Sequence, residues 1–528
     1  VGTTTLFRGG QLIDGTGSVA QDVDVAVRDG KVSAIGPRGT LPPEGDVLDI
    51  PGLILCPAFI DTHSHSDLAV LEEPDLQMKV RQGIALDVLG QDGVSVAPLS
   101  RLKRPMMERT LSGLDGKCGT WDWETVSEYL GRIERTPRSI HAAYLVPHGN
   151  IRLEVVGPDD RLASAAEVAG MCDELERGLD AGAVGLSTGL IYPPCCYGDT
   201  AELISLGRIL TRHDRPIVVH MRSESDALKA GVEEMLKVGR ESGCRVHISH
   251  LKIAGRDNWG LLDWLLGAFA QAARDGVRLT ADQYPYTAGS TMMGAILPPW
   301  AHSGGFERTL HHLADPEARR RMRDDILGPG PNTWDNFWSW GGPEGIFISS
   351  VESGAPGLEG LSLADASRTI GQDPLEFALD LLLRERMGVG MIAFSQSEDV
   401  IRTLMQQPNV NVCTDGLLGG NPHPRAYGTF PRVLGRYVRQ QGALVLPEAV
   451  RKMTSQAADA LTLRGRGRVV VGAPADLVVF DPATVLDTAT YAQPRQYPTG
   501  MPHVMVGGRL VVKDGVGMGE RPGEVVRG

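Results

Sequence analysis

Residues 216–250 read PIVVHMRSESDALKAGVEEMLKVGRESGCRVHISH, and this stretch decides the fold class. Two short apolar runs, 216–220 and 245–250, each end in a histidine, His220 and His250. Between them, 225–243 carries apolar residues at helical spacing. A strand, a helix and a second strand of this length form the repeating unit of a parallel sheet.

The same alternation continues outward in both directions. LILCPAFIDTH (53–63), IALDVLGQD (84–92), HAAYLVPHG (141–149), GAVGLSTGL (182–190), VRLTADQYPY (277–286) and NVNVCTD (409–415) read as further strands. Helical patterns at 165–182 and 261–276 lie between some of them. Such repetition indicates a parallel barrel or a doubly wound sheet. IFISSVE (346–352) and MIAFSQ (391–396) are surplus strand candidates, so the run count alone does not select the eight of a barrel. The stretch 288–345 breaks the rhythm with PPWAHSGG and NTWDNFWSWGG, and reads as an insertion over one face. At the two ends the texture changes to short alternating strands cut by Gly and Pro, as in DVAVRDGKVSAIG (24–36) and VMVGGRLVVKDG (504–515). We expect 1–57 and 459–528 to pair into one small β-domain beside a barrel spanning 58–458.

The chain has 528 residues, enough for a barrel of about 250 residues with insertions and a second module. Its 52 basic and 65 acidic side chains give a net charge of −13, which disfavours nucleic acid and anionic membranes as partners. No apolar run reaches membrane-spanning length, and residues 1–17 lack the pattern of a secretory leader. Seven cysteines, Cys118 among them, form no CxxC pair and argue against a disulfide framework, so a cytoplasmic setting is expected. Assembly with further copies of the chain is left open.

Chemistry-bearing residues close the apolar runs. His63 and His65, two apart beyond a strand, point the same way because strand side chains alternate with period two. Imidazole is the commonest zinc donor at such sites. His220, His250 and Asp415 each end another run, and in a barrel all five converge on the C-terminal face, where barrel enzymes place their sites. His247 reads as structural, sharing the strand face of His250 but lying deeper.

At these residues the chain resembles the amidohydrolase superfamily, and within it the D-aminoacylase (N-acyl-D-amino-acid deacylase) branch. The likeness spans nearly the whole length. It covers PAFIDTHSHSD (57–67), GLSTGLIYPP (185–194), HMRSES (220–225), ISHLKIAG (248–255), DQYPYTAGST (282–291) with LPPW (297–300), CTDG (413–416), HPRAYGTFPRVL (423–434) and GAPADLVVFDP (472–482). It implies an α/β fold, a (β/α)8 TIM-like barrel with a small β-sandwich domain built from both ends. It also implies one or two zinc ions, with His63 and His65 serving one position, His220 and His250 the other, and Asp415 as ligand and general base. The implied reaction is hydrolysis of an N-acylated small molecule, Asp415 moving a proton from water to the leaving amine.

One departure stands out. The branch places a bridging Cys in a GNCG-like turn, and here the turn is Gly90-Gln91-Asp92-Gly93. Asp92 either bridges two metals or merely caps the turn. Lys252, Tyr284 and Ser290 match positions that approach the substrate in the family. Arg222 is added as a carboxylate binder, the alternative being a pair with Glu224 or Asp226. His148, Asn150 and Arg152 are expected at the pocket rim, and Cys195-Cys196 as half-buried thiols in a loop. A cyclic amidase of the hydantoinase or dihydroorotase type is the competing enzyme class. It usually needs a carboxylated Lys, and the strand that would carry it ends in GLSTGL instead. A metal-free binding relative is the competing non-enzyme.

Overall fold

A computed structural model describes residues 4–112, 119–329, 334–354 and 356–528, so Cys118 lies outside the described residues. Eight parallel strands pair in chain order: Phe59–Asp61, Ile84–Leu89, His141–Pro147, Gly185–Gly189, Pro216–His220, Arg245–Ile248, Leu279–Gln283 and Val410–Val412. The first and last meet just beyond their ends. Ser64 bridges Gly416 in parallel, the Asp415 amide donates to the His63 carbonyl (2.8 Å) and the His65 amide to the Gly416 carbonyl (3.2 Å). The sheet is thereby a closed (β/α)8 barrel.

Alternation along the strands sorts the side chains. In Pro216–His220, Ile217 and Val219 pack outward with the surrounding helices, while Val218 joins Ile60, Leu86, Val88, Ala143 and Leu145. Ala457, Ala458 and Leu461, from the helix Ser455–Ala460 and the residue after it, pack on that second cluster. The intervening helix Leu228–Ser242 buries Leu228, Val232 and Met235 at helical spacing, each contributing about 1.5–3 kcal/mol. Gly243 ends it in the left-handed conformation (φ 77°), donating its N–H to the Gly239 carbonyl.

Both chain regions flanking the barrel meet in two further sheets. One contains Thr4–Arg8, Val23–Arg28, Lys31–Pro37 and Asp46–Asp49; the other joins Gln11–Leu12 and Ile54–Pro57 to Leu477–Phe480, His503–Val506, Arg509–Lys513 and Val516–Gly517. Val25, Val27, Leu55, Leu477, Val479 and Met505 fill the space between them as a sandwich core. Ile54, Cys56, Val478 and Phe480, one residue out of phase, face the barrel core. The run 53–63 is therefore two strands. Its first half serves the sandwich and its second half opens the barrel.

The surplus strand candidates belong to neither body. Ile346–Val351 and Val389–Phe394 form an antiparallel sheet with Ala288–Met292, between the seventh and eighth barrel strands. The excursion thus runs past the expected limit of 345 to Phe394. It has its own core of Met293, Ile296, Leu313, Ile348, Leu379 and Met391 among others. Alternating runs of this kind are indistinguishable from barrel strands until a partner is known.

Candidate metal centre

Each strand end delivers one part of the site. His63 and His65 follow the first strand, Asp92 sits in the turn after the second, His220 ends the fifth, His250 follows the sixth and Asp415 the eighth. His63 Nε2 lies 3.6 Å from Asp92 Oδ1 and 3.7 Å from Asp415 Oδ1. His65 Nε2 is 3.5 Å from Asp92 Oδ2 and 3.4 Å from Asp415 Oδ1. His250 Nε2 stands 3.6 Å from Asp92 Oδ1, and His220 Nδ1 stands 3.9 Å from Asp92 Oδ2. All six sequence candidates come together, with the Asp92 carboxylate in the middle.

Three of the six use a left-handed backbone that side chains rarely adopt: Asp92 (φ 54°), His250 (φ 36°) and Asp415 (φ 49°). Strict alternation would send His250 outward with Val246 and Ile248. His250 is three residues after His247, an odd spacing, so the two do not share a strand face as expected. The turn at His250 brings its ring inward. His247 is engaged elsewhere, by Thr280 (2.8 Å) and Asp282 (3.0 Å). Asp282 also accepts from the His250 amide and from Thr62, fixing both ends of the segment.

The Asp92 turn is clamped from several sides. Asp67 accepts from the Gly90 amide (2.9 Å), Ser187 Oγ from the Gly93 amide (3.0 Å), and Gln91 donates to the Thr62 carbonyl (2.7 Å). Gly93 must be glycine. Its φ is 70°, and a Cβ there would meet Cys195 Sγ at 2.7 Å.

Both ring nitrogens of His63 and of His220, and Asp92 Oδ1, are buried and make no hydrogen bond. Each such atom costs about 1–3 kcal/mol when left unpaired. Imidazole nitrogens with interposed carboxylate oxygens are the donor set of zinc, and the groups His63–His65–Asp415, His63–Asp92–His250 and His220–Glu224–His250 each gather donor atoms within 4.8 Å. The residues present fit a metal ion.

Two members of the site escaped the sequence reading. Glu224, four residues after His220 in HMRSES, lies 3.5 Å from His220 Nε2 and 3.2 Å from His250 Nδ1. Arg425, in HPRAYG, stands 2.9 Å from Asp415 Oδ2, close enough for ion pairing though not aligned as a hydrogen bond. Burial pushes the Asp415 carboxyl up, but Arg425 and the histidines outweigh it and hold Asp415 below the usual carboxylate range. Burial likewise raises Glu224, and Lys252 with His220 and His250 brings it down to about 2. The Lys252 ammonium, 2.7 Å from both Glu224 oxygens, stays charged, because Glu224 more than offsets the effect of burial.

Lys252, Tyr284 and Ser290 line the metal pocket. Tyr284 accepts from Gln396 (3.0 Å) and Ser290 donates to the Met391 carbonyl (2.9 Å). Arg222 does not join them. It bonds Glu234 and the carbonyls of Cys196 and Gly198, on the wall of a neighbouring cavity, so neither expected partner, Glu224 nor Asp226, holds it. His148, Asn150 and Arg152 are buried rather than on a rim. His148 and Arg152 share Glu202, and Asn150 holds Ser95. Cys195 is fully buried and Cys196 half-buried, and all cysteines among the described residues are free. The insertion reaches the site through Phe337 and Trp340 and through Asp335, which accepts from Ser223, Ser225 and the Glu224 amide.

With this geometry in view, comparisons with known proteins agree along the whole chain. D-aminoacylase from Alcaligenes xylosoxydans xylosoxydans is 34% identical over 524 residues, covering 99% of this chain and 97% of that protein. The crystal structure of N-acyl-D-glutamate deacylase from Bordetella bronchiseptica, complexed with zinc and a phosphonate mimic of the tetrahedral intermediate, matches with a TM-score of 0.85 at 34% identity over 99% of both chains. A structure of D-aminoacylase, described for the role of its binuclear metal centre, matches at 0.84 and 31% over 99% of both. The family model described as "Amidohydrolase family" matches residues 46–512, and the chain is a member of that family.

Proposed function

We propose that this protein is a zinc-dependent deacylase that hydrolyses the amide bond of a linear N-acyl-D-amino acid or a similar N-acylated small molecule. The observation that carries the reading is the buried, unpartnered set of His63, His220 and Asp92 between two histidine pairs. His63, His65 and Asp415 would hold one ion, His220 and His250 the other, and Asp92 would reach both. Zinc at such a site supplies acidity to water and polarises a carbonyl. Asp415 accepts the proton of the attacking water on the oxygen facing the histidines and returns it to the leaving nitrogen, which departs poorly unprotonated. Arg425 keeps that carboxylate ionised and oriented. Lys252 and Tyr284 face the substrate's own carboxylate. Phe337 and Trp340 exclude water from one side. The D preference is supported by the activities for which the relatives are named.

A cyclic amidase is not favoured, because the fourth barrel strand, Gly185–Gly189, carries no lysine. The work is assigned to the barrel, residues 58–458, and the module of 1–57 and 459–528 is given no chemical role. No helix of the described residues is long and apolar enough to cross a membrane. A cytoplasmic setting is part of the proposal.

Elemental analysis together with a hydrolysis screen of N-acetyl-D- and N-acetyl-L-amino acids tests the reading. One to two transition-metal ions per chain and turnover of the D series, abolished by chelation, are expected. Full activity in chelator, or cleavage confined to cyclic amides, would refute it.

A further inference from the structure

A chamber of about 260 Å³ lies beside the metal pocket, which itself offers only about 40 Å³. Val94, Tyr192, Met292 and Phe337 border both spaces, so the two adjoin across an apolar threshold. The Tyr192 ring stands edge-on to His220 at 5.3 Å, which puts the threshold directly against the metal-facing imidazoles. Beyond it the wall is mostly apolar, with Met107, Leu153, Leu190, Ala295, Leu297 and Phe306. The cations on that wall are already engaged, Arg222 with Glu234 and Arg109 with Glu352.

The pocket is therefore polarised. Lys252, Arg425 and Tyr284 all border the metal pocket and none borders the chamber, Lys252 being held by Glu224 and Arg425 by Asp415 close to the histidines. An N-acyl amino acid has the same polarity, with a carboxylate on one side of the scissile amide and an acyl chain on the other. With the carboxylate at Lys252, the carbonyl at the histidines directs the acyl chain over Tyr192 and Met292. A cavity of about 150 Å³ is enough to hold benzene, so this one has room for a medium-length alkyl or an aryl-alkyl group.

We infer that the chamber is an acyl-chain subsite, and that the preferred substrates carry a large apolar acyl group rather than acetyl. The inference rests on the deacylase reading above.

The test is kcat/KM of the unmodified protein, metal-loaded, for one D-amino acid bearing acetyl, butanoyl, hexanoyl, octanoyl or phenylacetyl groups. In a parallel series the acyl group stays acetyl and the amino-acid side chain lengthens. Each added acyl methylene should raise kcat/KM by up to about fourfold, the factor for burying one CH2, until the chamber is filled. Ala295→Phe, which narrows the chamber, should lower the octanoyl-to-acetyl ratio. Acetyl turnover with a flat or falling acyl series overturns the subsite and leaves the deacylase reading standing. A rise confined to the side-chain series overturns it too, by assigning the chamber to the other half of the substrate. Absence of turnover with every member overturns both readings.

Discussion

Two buried charged clusters touch at Ser64, and they differ in one respect. In the first, the Lys79 ammonium lies 2.7 Å from Asp61, 2.7 Å from Ser64 Oγ and 3.3 Å from Asp87. Asp61 in turn accepts from the Thr414 amide and hydroxyl, tying the eighth strand to the first. In the second, Asp92 and Asp415 face four imidazoles with unpartnered nitrogens among them. Burial pushes the Asp87 carboxyl up to about 6, Lys79 countering only part of it, whereas Lys79 itself stays charged. The first cluster brings its own cation, Lys79, which reaches both Asp61 and Asp87 and leaves only Asp87 Oδ1 without a hydrogen bond. The second has a cation at one edge, Arg425 beside Asp415, but leaves Asp92 Oδ1 and the ring nitrogens of His63 and His220 without a hydrogen bond. Both clusters thus pair a buried carboxylate with a cation of the chain, and it is the unpartnered imidazoles that set the second apart.

The contrast can be broken at several points. Asp415→Asn should lower kcat by about a thousandfold or more, since an amide cannot take the proton, with the circular dichroism spectrum of the folded protein unchanged. Near-normal kcat would move the base elsewhere. Lys79→Met should cost about 3–5 kcal/mol of stability by leaving two carboxylates buried without their cation. In urea melts that loss should appear with metal content per folded chain unaltered, and a loss of metal instead would merge the two clusters into one. Asp92→Ala should release the weaker-held ion and reduce kcat/KM by at least about a hundredfold, as several kcal/mol of charge stabilisation disappear. Asp92→Cys should retain zinc through a softer bridge. If Asp92→Asn changes neither metal stoichiometry nor kcat/KM, Asp92 is a turn residue and the bridge is wrong. The smallest effect is expected at Asp335→Asn, which weakens the support of the Glu224 loop. A loss of roughly tenfold in kcat/KM is expected, of the size seen for outer partners of metal ligands, and an unchanged value would show that the loop holds itself.

The alternation of parallel strands and helices and five metal candidates are legible because strand ends concentrate chemistry where a period-two pattern stops, while the choice of a barrel over a doubly wound sheet comes with the family resemblance. Asp92 became legible from the departure at the GNCG-like turn. Glu224 and Arg425 were not singled out because neither ends a strand. Glu224 sits in a loop and Arg425 opens the helix Arg425–Arg432, and their placement depends on Asp335 and Asp415, residues 111 and 10 positions away in the chain. Arg222 was misplaced for the same reason, as its neighbour Glu234 comes from the helix beyond. The length of the insertion was hidden because its strands have the texture of barrel strands. The left-handed turn that brings His250 inward leaves no trace in composition.

The sandwich strand Ile54–Pro57 pairs antiparallel with Leu477–Phe480. During synthesis the first of these leaves the ribosome roughly 420 residues before the second, an interval of about 20–85 s at typical elongation rates. Throughout it Ile54, Leu55 and Cys56 lack the strand that will cover them, and a growing chain with a bare apolar edge is an aggregation hazard. Until then this side of the strand, opposite its pairing with Gln11–Leu12, stays open.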